Sequence, residues 1–598
     1  MEFEEDLLIY NPLINKYPLG AVKCEEMVTV KLTFPSHFIV YGVTMIIEDD
    51  NSNVVSEIGM KDNSFCFSID KWGIYWYYFR FYDCYGMHYL VPGSDLTAKI
   101  TNELISKWNL SVYICDNSNV NWFSEGIMYQ IFPDRFYKEV NLEKKGAIIH
   151  KDWFDVPYIG EQEDGRWNID FYGGNLKGII AKLDYLKELN VTSIYLNPIF
   201  LSPSSHRYDT SDYLMIDPLL GTEQDFIDLC SIAKEKGIRI IIDMVLNHTG
   251  DDSIYFNKYG NFASIGAYES NKSPYYDWYD FSSKYKYGYR CWWDVPSLPS
   301  INQKSKSYRE FISHVLTKWI SLGASGVRLD VVDELDDDTV ELIHNAVKGA
   351  NPNAIIIGEV WENAATKIAY DTRRHYFNGL EIDSVMNYVF AKAIIKYVKD
   401  NDYVNLRNNI RMVLNDYPSW AVNKLMNILD THDTFRLLNY FYDEEPETEV
   451  EMLNYVPTKQ EKKIAKLNLK KASLLQFSLP GVPCLYYGDE AGLSGFSDPF
   501  SRLTYPWGRE DKELLEWYKK LSSLRNFDSL KKGTYSEIHY GKDYVSFIRE
   551  FDDEKVLVVI NNSNEVINLN YKALDLLNDL SLNIITIDPQ MYGIYLLK

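Results

Sequence analysis

Cysteine is sparse in this chain of 598 residues: seven in all, scattered at 24, 66, 84, 115, 230, 291 and 484. The count is odd and no pair has metal-ligand spacing, which argues against a disulfide framework and against a zinc or iron–sulfur centre. Free thiols suit a reducing compartment. Positive charge is also short. Lys and Arg total 61 against 85 Asp and Glu, a formal net charge of −24, which argues against a phosphate backbone as partner. No apolar run approaches the length of a membrane span. The acidic start Met1-Glu-Phe-Glu-Glu-Asp6 lacks the apolar region of a secretory signal. The expectation is a cytoplasmic protein with neither nucleic acid nor membrane as partner. There is no fixed-period repeat and no low-complexity tract.

What is present is apolar and aromatic. Hydrophobic residues make up 46%, and aromatics 15%, with 47 Tyr and 14 Trp. Such rings suit the faces of sugars, although many serve plain packing. The length allows several domains. Residues 1–115 alternate in short β-rich runs between turns, the pattern of a β-sandwich. The rhythm then changes to β/α units. Strand runs are expected at 127–132, 192–196, 238–246, 327–329, 354–357, 383–386, 425–429 and 484–487. Helices are expected at 175–189, 222–236, 307–322, 337–349 and 511–526. Eight such units are the number for a closed (β/α)8 barrel, placed at 116–526. A Tyr- and Trp-rich stretch at about 249–303 is too long for an ordinary loop and reads as an inserted domain B. From 527 to 598 the pattern is β again, a small C-terminal β-sandwich.

Three segments carry the chemistry: Gly326-Val-Arg-Leu-Asp330, Ile355-Ile-Ile-Gly-Glu359-Val-Trp361 and Leu429-Asp-Thr-His-Asp433. Each is an apolar strand-like run ending on or beside an acid. A parallel barrel gathers such ends at one rim. Each acid alone would read as a helix cap; three together, with Arg328 and His432 beside them, point to paired carboxyls across a glycosidic oxygen. Arg328 and Asp330 share a strand face, and the guanidinium is expected to keep Asp330 ionised as a nucleophile. Glu359, near other acids and away from water, is expected to have a raised pKa and to act as general acid. Asp433 could favour positive charge in the transition state. His248 and His432 could hydrogen-bond sugar hydroxyls.

Four segments, Asp243-Met-Val-Leu-Asn247-His248, Gly326 to Glu334, Gly358-Glu359-Val-Trp361 and Thr431-His432-Asp433, resemble in order and spacing the conserved regions of the α-amylase family, glycoside hydrolase family 13. The resemblance covers about 115–598. It implies Asp330 as nucleophile, Glu359 as acid/base and Asp433 as transition-state stabiliser, with Arg328, His248 and His432 lining the −1 sugar site. His206-Arg-Tyr208-Asp209-Thr-Ser-Asp212-Tyr213 resembles the segment whose Tyr stacks on the −1 ring. With Trp361, it is similar to the neopullulanase, cyclomaltodextrinase and maltogenic amylase branch. Asn247 belongs to the first segment, and Asp498 and Arg502 resemble a pair lining the glucan cleft. Trp292-Trp293 and Leu298-Pro-Ser-Ile-Asn302 loosely resemble a further branch signature.

The resemblance implies a retaining α-glucan hydrolase acting on maltooligosaccharides, cyclodextrins or pullulan. Transglycosylation on the same intermediate, or a silent glucan-binding protein, are the alternatives. Asp333 stands where the branch has Asn, and Ser300-Ile301 replaces Lys-Leu, leaving the preference between α-1,4 and α-1,6 bonds open. Residues 137–145 lack the Asn/Asp-rich calcium loop of some relatives, so neither calcium nor another cofactor is expected. The N-terminal sandwich could bind glucan, pair with a second copy in a homodimer, or cover the barrel.

Overall fold

The computed structural model describes residues 9–35, 38–160 and 168–598. Its centre is a parallel barrel of eight short strands: β1 Met128–Ile131, β2 Ser193–Leu196, β3 Arg239–Met244, β4 Gly326–Leu329, β5 Ile355–Gly358, β6 Ser384–Val385, β7 Met426–Asn427 and β8 Val482–Tyr486. Their spatial order is β6-β5-β4-β3-β2-β1-β8-β7. A parallel bridge between Met386 and Met426 joins the two ends. Each strand falls within or against a run that the apolar pattern marks as β.

The short runs are wholly apolar or buried because both faces are covered. In β4 and β5 every residue is buried. Alternation then sorts the side chains. Ile194, Leu196, Ile240, Ile242, Val327, Leu329 and Ile356 turn outward into the core beneath the helices. Met128, Tyr195, Ile241, Ile355 and Ile357 turn inward and fill the barrel. The same parity sends Gln130, Asp243 and Arg328 inward, all of them buried.

The helices bury one stripe each. In Glu223–Glu235 the buried positions are Phe226, Leu229, Cys230 and Ala233, the helical spacing of a core-facing face. Thr222 and Asp225 close a reciprocal capping box at its start, as that sequence pair favours. The helix expected at 175–189 is instead two, Leu176–Ala181 and Leu183–Glu188. The backbone tightens at Lys182, whose ammonium lies 4.0 Å from the centroids of both the Tyr137 and Trp507 rings.

The stretch between β3 and the helix Lys306–Ser321 holds isolated bridges rather than strands. It is organised around Phe256, which packs edge-on against Tyr279 and Tyr289, each at 4.8 Å. On the N-terminal side, a seven-stranded and a three-stranded sheet enclose their own core, including Val30, Met45, Phe79 and Trp108. On the C-terminal side, a six-stranded and a two-stranded sheet close over Leu557, Val559, Ile585 and Ile587. No helix among the described residues is long and apolar enough to cross a membrane.

Candidate active site

The C-terminal ends of the barrel strands open into a cleft of about 720 Å³, lined by Asp330, Glu359 and Asp433 among others. This is the rim where a barrel displays residues from several strands at once, and the volume is that of a small-ligand site. At its floor lies Arg328, fully buried. Its Nη1 donates to Asp330 Oδ1 at 2.8 Å and to Asp243 Oδ1 at 3.0 Å, while Nη2 lies 2.8 Å from Glu359 Oε2. One guanidinium therefore hydrogen-bonds the acids of β3 and β4 and lies against the acid that follows β5.

Glu359 is held on both oxygens. The Val331 N–H donates to Oε2 at 2.8 Å and Trp361 Nε1 to Oε1 at 3.0 Å. Val331 sits in the left-handed region with φ +37°, an outlier for a β-branched residue. That turn aims the amide just after Asp330 back at Glu359. The Trp361 ring stacks on Tyr388 at 3.9 Å between centroids, which fixes its position in turn.

Opposing influences act on the Asp330 carboxyl. Burial pushes it well above the usual carboxylate range, the neighbouring Glu359 and Asp243 add to this, and Arg328 opposes it. Burial likewise raises Asp243 against the pull of the same Arg328. The expectation weighed the guanidinium alone. Three acids around one cation in a dry floor favour a proton held within the cluster.

A second group forms around Tyr208. Its hydroxyl donates to Asp243 Oδ2 at 2.8 Å, accepts from Asn197 Nδ2 at 3.0 Å, and lies 2.6 Å from His432 Nε2. Gln130 Nε2 donates to His432 Nδ1 at 2.9 Å, so the neutral ring carries its proton on Nε2. Burial, with Arg502 and Arg328 nearby, holds His432 well below its ordinary pKa. Burial also lowers His206 to about 3 and His248 to about 4. All three imidazoles are neutral hydrogen-bonding groups near pH 7. His248 Nδ1 is buried without a hydrogen-bond partner among the described residues, and its ring stacks on Trp292 at 5.7 Å. Arg502 links the remaining acids: Nη2 donates to Asp433 Oδ1 at 3.3 Å and Nη1 lies 3.0 Å from Asp498 Oδ2.

The structure gathers most of the sequence-predicted residues on one surface. His206, Tyr208, His248, Asp330, Glu359, Trp361, His432, Asp433, Asp498 and Arg502 all line the cleft. Arg328 lies beneath it. Asp209 and Asn247 are outside the lining. Asp209 accepts from Ser202 Oγ at 2.5 Å and also from Ser204 Oγ, which braces the loop that presents His206. The Asn247 backbone carbonyl accepts from Ile301 N–H at 2.9 Å. The sequence reading does not single out Asp243, Gln130 or Tyr195 as site residues. Their signal was a polar or hydroxyl-bearing group inside an apolar strand, at inward parity.

Residues 130–543 match the family described as "Alpha amylase, catalytic domain". The chain belongs to the alpha-amylase family. It is 35% identical over 463 residues to Neopullulanase 2 of Thermoactinomyces vulgaris, which covers 74% of this chain and 70% of that protein. It is 35% identical over 624 residues to the Amylopullulanase of Thermoanaerobacterium saccharolyticum, which covers 92% of this chain but 47% of that protein. The chain thus spans about half the length of that curated relative. Among solved structures, the type III pullulan hydrolase from Thermococcus kodakarensis superposes with a TM-score of 0.67 at 25% identity, covering 97% of this chain and 98% of that one.

Proposed function

We propose that the protein is a retaining α-glucan hydrolase that cleaves α-glucosidic bonds in maltooligosaccharides, cyclodextrins or pullulan. One observation carries this reading: Asp330 and Glu359 flank a single guanidinium in a cleft that Asp433 also lines. Two carboxyls gathered on one guanidinium at the mouth of one cleft suit double displacement. Asp330 attacks the anomeric carbon while Glu359 delivers a proton to the leaving oxygen. Glu359 then takes a proton from water as the glycosyl–Asp330 ester is hydrolysed. The configuration at the anomeric carbon is retained.

Asp433, fixed by Arg502, faces the oxocarbenium-like ring and opposes its charge. The neutral His206, His248 and His432 bind hydroxyls without adding repulsion to that charge. The names of the relatives, neopullulanase, cyclomaltodextrinase and amylopullulanase, support an α-glucan as the partner. All seven cysteines are unpaired, which supports a reducing, cytoplasmic setting.

Release of reducing ends from maltooligosaccharides and pullulan tests the reading. Glu359→Gln is expected to lower turnover by about 10³-fold or more while retaining oligosaccharide binding. Turnover of the variant near the wild-type rate would place the acid elsewhere.

A further inference from the structure

We propose that Trp293 and Tyr370 form a platform on which a distal glucose ring of the substrate stacks, on the leaving-group side of the scissile bond. The proposal rests on the α-glucan reading above and extends it to a subsite.

Both rings are in water, Trp293 at 77% and Tyr370 at 67% exposure. Both sit in the left-handed region, with φ +48° and +52°. Bulky residues rarely adopt that backbone, and such outliers persist where surrounding structure imposes them. The ring ends meet at Glu334. Its Oε1 accepts from Trp293 Nε1 at 3.1 Å, from Trp292 Nε1 at 3.2 Å and from the Tyr370 hydroxyl at 2.6 Å. One carboxylate oxygen thus clamps rings from two separate loops. They are exposed and yet held in place, which is the arrangement a flat apolar ligand face requires.

The position follows from the contacts of Glu359. A general acid faces the leaving oxygen, so the wall beyond it holds the departing sugar. That wall is built from Trp361, Glu362, Lys367, Asp333 and Glu334. Trp361 touches Glu359 itself, and Lys367 Nζ lies 2.9 Å from Asp333 Oδ2 and also pairs with Glu362. Trp293 and Glu334 line the cleft, and Tyr370 continues it outward. Tyr208, His432, Asp433 and Arg502 contact one another on the other side.

Tyr370 lies at the turn of a hairpin, Ile368–Ala369 with Thr372–Arg373. The hairpin is fastened to the N-terminal sandwich. Arg373 donates twice to Asp50, both at 2.9 Å, and Asp50 also accepts from Trp76 Nε1 at 3.0 Å. The hairpin that carries Tyr370 is thereby tied to the N-terminal sheets.

The test compares maltoheptaose, long enough to reach the platform, with maltotriose. In Trp293→Ala and in Tyr370→Ala, the ratio of kcat/KM for the long substrate to that for the short one is expected to fall about tenfold, through KM. Tyr370→Phe keeps the ring and is expected to stay nearer the wild-type ratio than Tyr370→Ala. A wild-type ratio in both alanine variants, with circular dichroism intact, would overturn the platform. If the wild-type protein turns over neither sugar, the hydrolase reading fails instead. Calorimetric binding of maltoheptaose to Glu359→Gln, with and without Trp293→Ala, then decides the platform by itself: weaker binding supports it and equal binding overturns it.

Discussion

Single buried charges set much of the chemistry and some of its cost. Arg328 illustrates the first, since one cation lies against three carboxyl groups. Glu381 illustrates the second. It is 2% exposed, and its Oε2 has no hydrogen-bond partner among the described residues. Burial, with Asp337 adding to it and Arg374 opposing, raises its pKa from 4.5 to about 8. In the unfolded chain the group ionises near 4.5, while in the folded one it keeps its proton to about 8. Folding therefore binds a proton across that window, and stability present below pH 4.5 is lost as pH rises to 8, by about 1.4 kcal/mol per pH unit. Glu381→Gln removes the titration. Urea unfolding at pH 5 and pH 8 is expected to show the variant gaining on the wild type at the higher pH. An identical pH dependence in both proteins would contradict the shift.

Whole strands were more legible than the site they carry. Runs such as Ile355-Ile-Ile357 are apolar on both faces, as buried parallel strands are, and a barrel of such strands brings their ends to one rim. The three acids stood out as a set, with Arg328 and His432 beside them and the resemblance in order and spacing to assign their roles. Asp243, Gln130 and Tyr195 were harder to read, because each matters through a partner on a neighbouring strand. Asp243 meets Arg328 across the β3–β4 pairing, where the two residues are in register. Register is a property of the closed barrel and cannot be seen in one strand's sequence. The platform was hidden for a similar reason. Trp293, Glu334 and Tyr370 come from three loops, and neither the left-handed backbone nor the shared acceptor has a marker in composition. The forces that oppose ionisation of Asp330, burial and the acids from β3 and β5, have no marker beside it in sequence, whereas the Arg328 that favours ionisation does.

At the scale of the whole molecule, the barrel is the hub to which both sandwiches are tied. Arg411, on the helix Tyr403–Asp416, reaches both. It donates to the Asp95 carbonyl at 2.8 Å on the N-terminal side, and to Glu537 Oε1 at 2.8 Å and Oε2 at 2.5 Å on the C-terminal side. Arg411→Met leaves the half-buried Glu537 without its cation, while Asp95 keeps Arg407 and Thr97, and is expected to cost about 2–3 kcal/mol in urea unfolding. A change under about 0.5 kcal/mol would show that the sandwiches dock without it. Because the N-terminal sandwich also holds the hairpin of Tyr370 through Asp50, its docking bears on substrate length as well as on stability. The central claim is narrower: Asp330 and Glu359 act in turn on one anomeric carbon. Proton NMR of the sugar first released from maltotriose tests this most directly. The account predicts the α-anomer at early times, with the β-anomer growing in only by mutarotation; initial release of the β-anomer would contradict it.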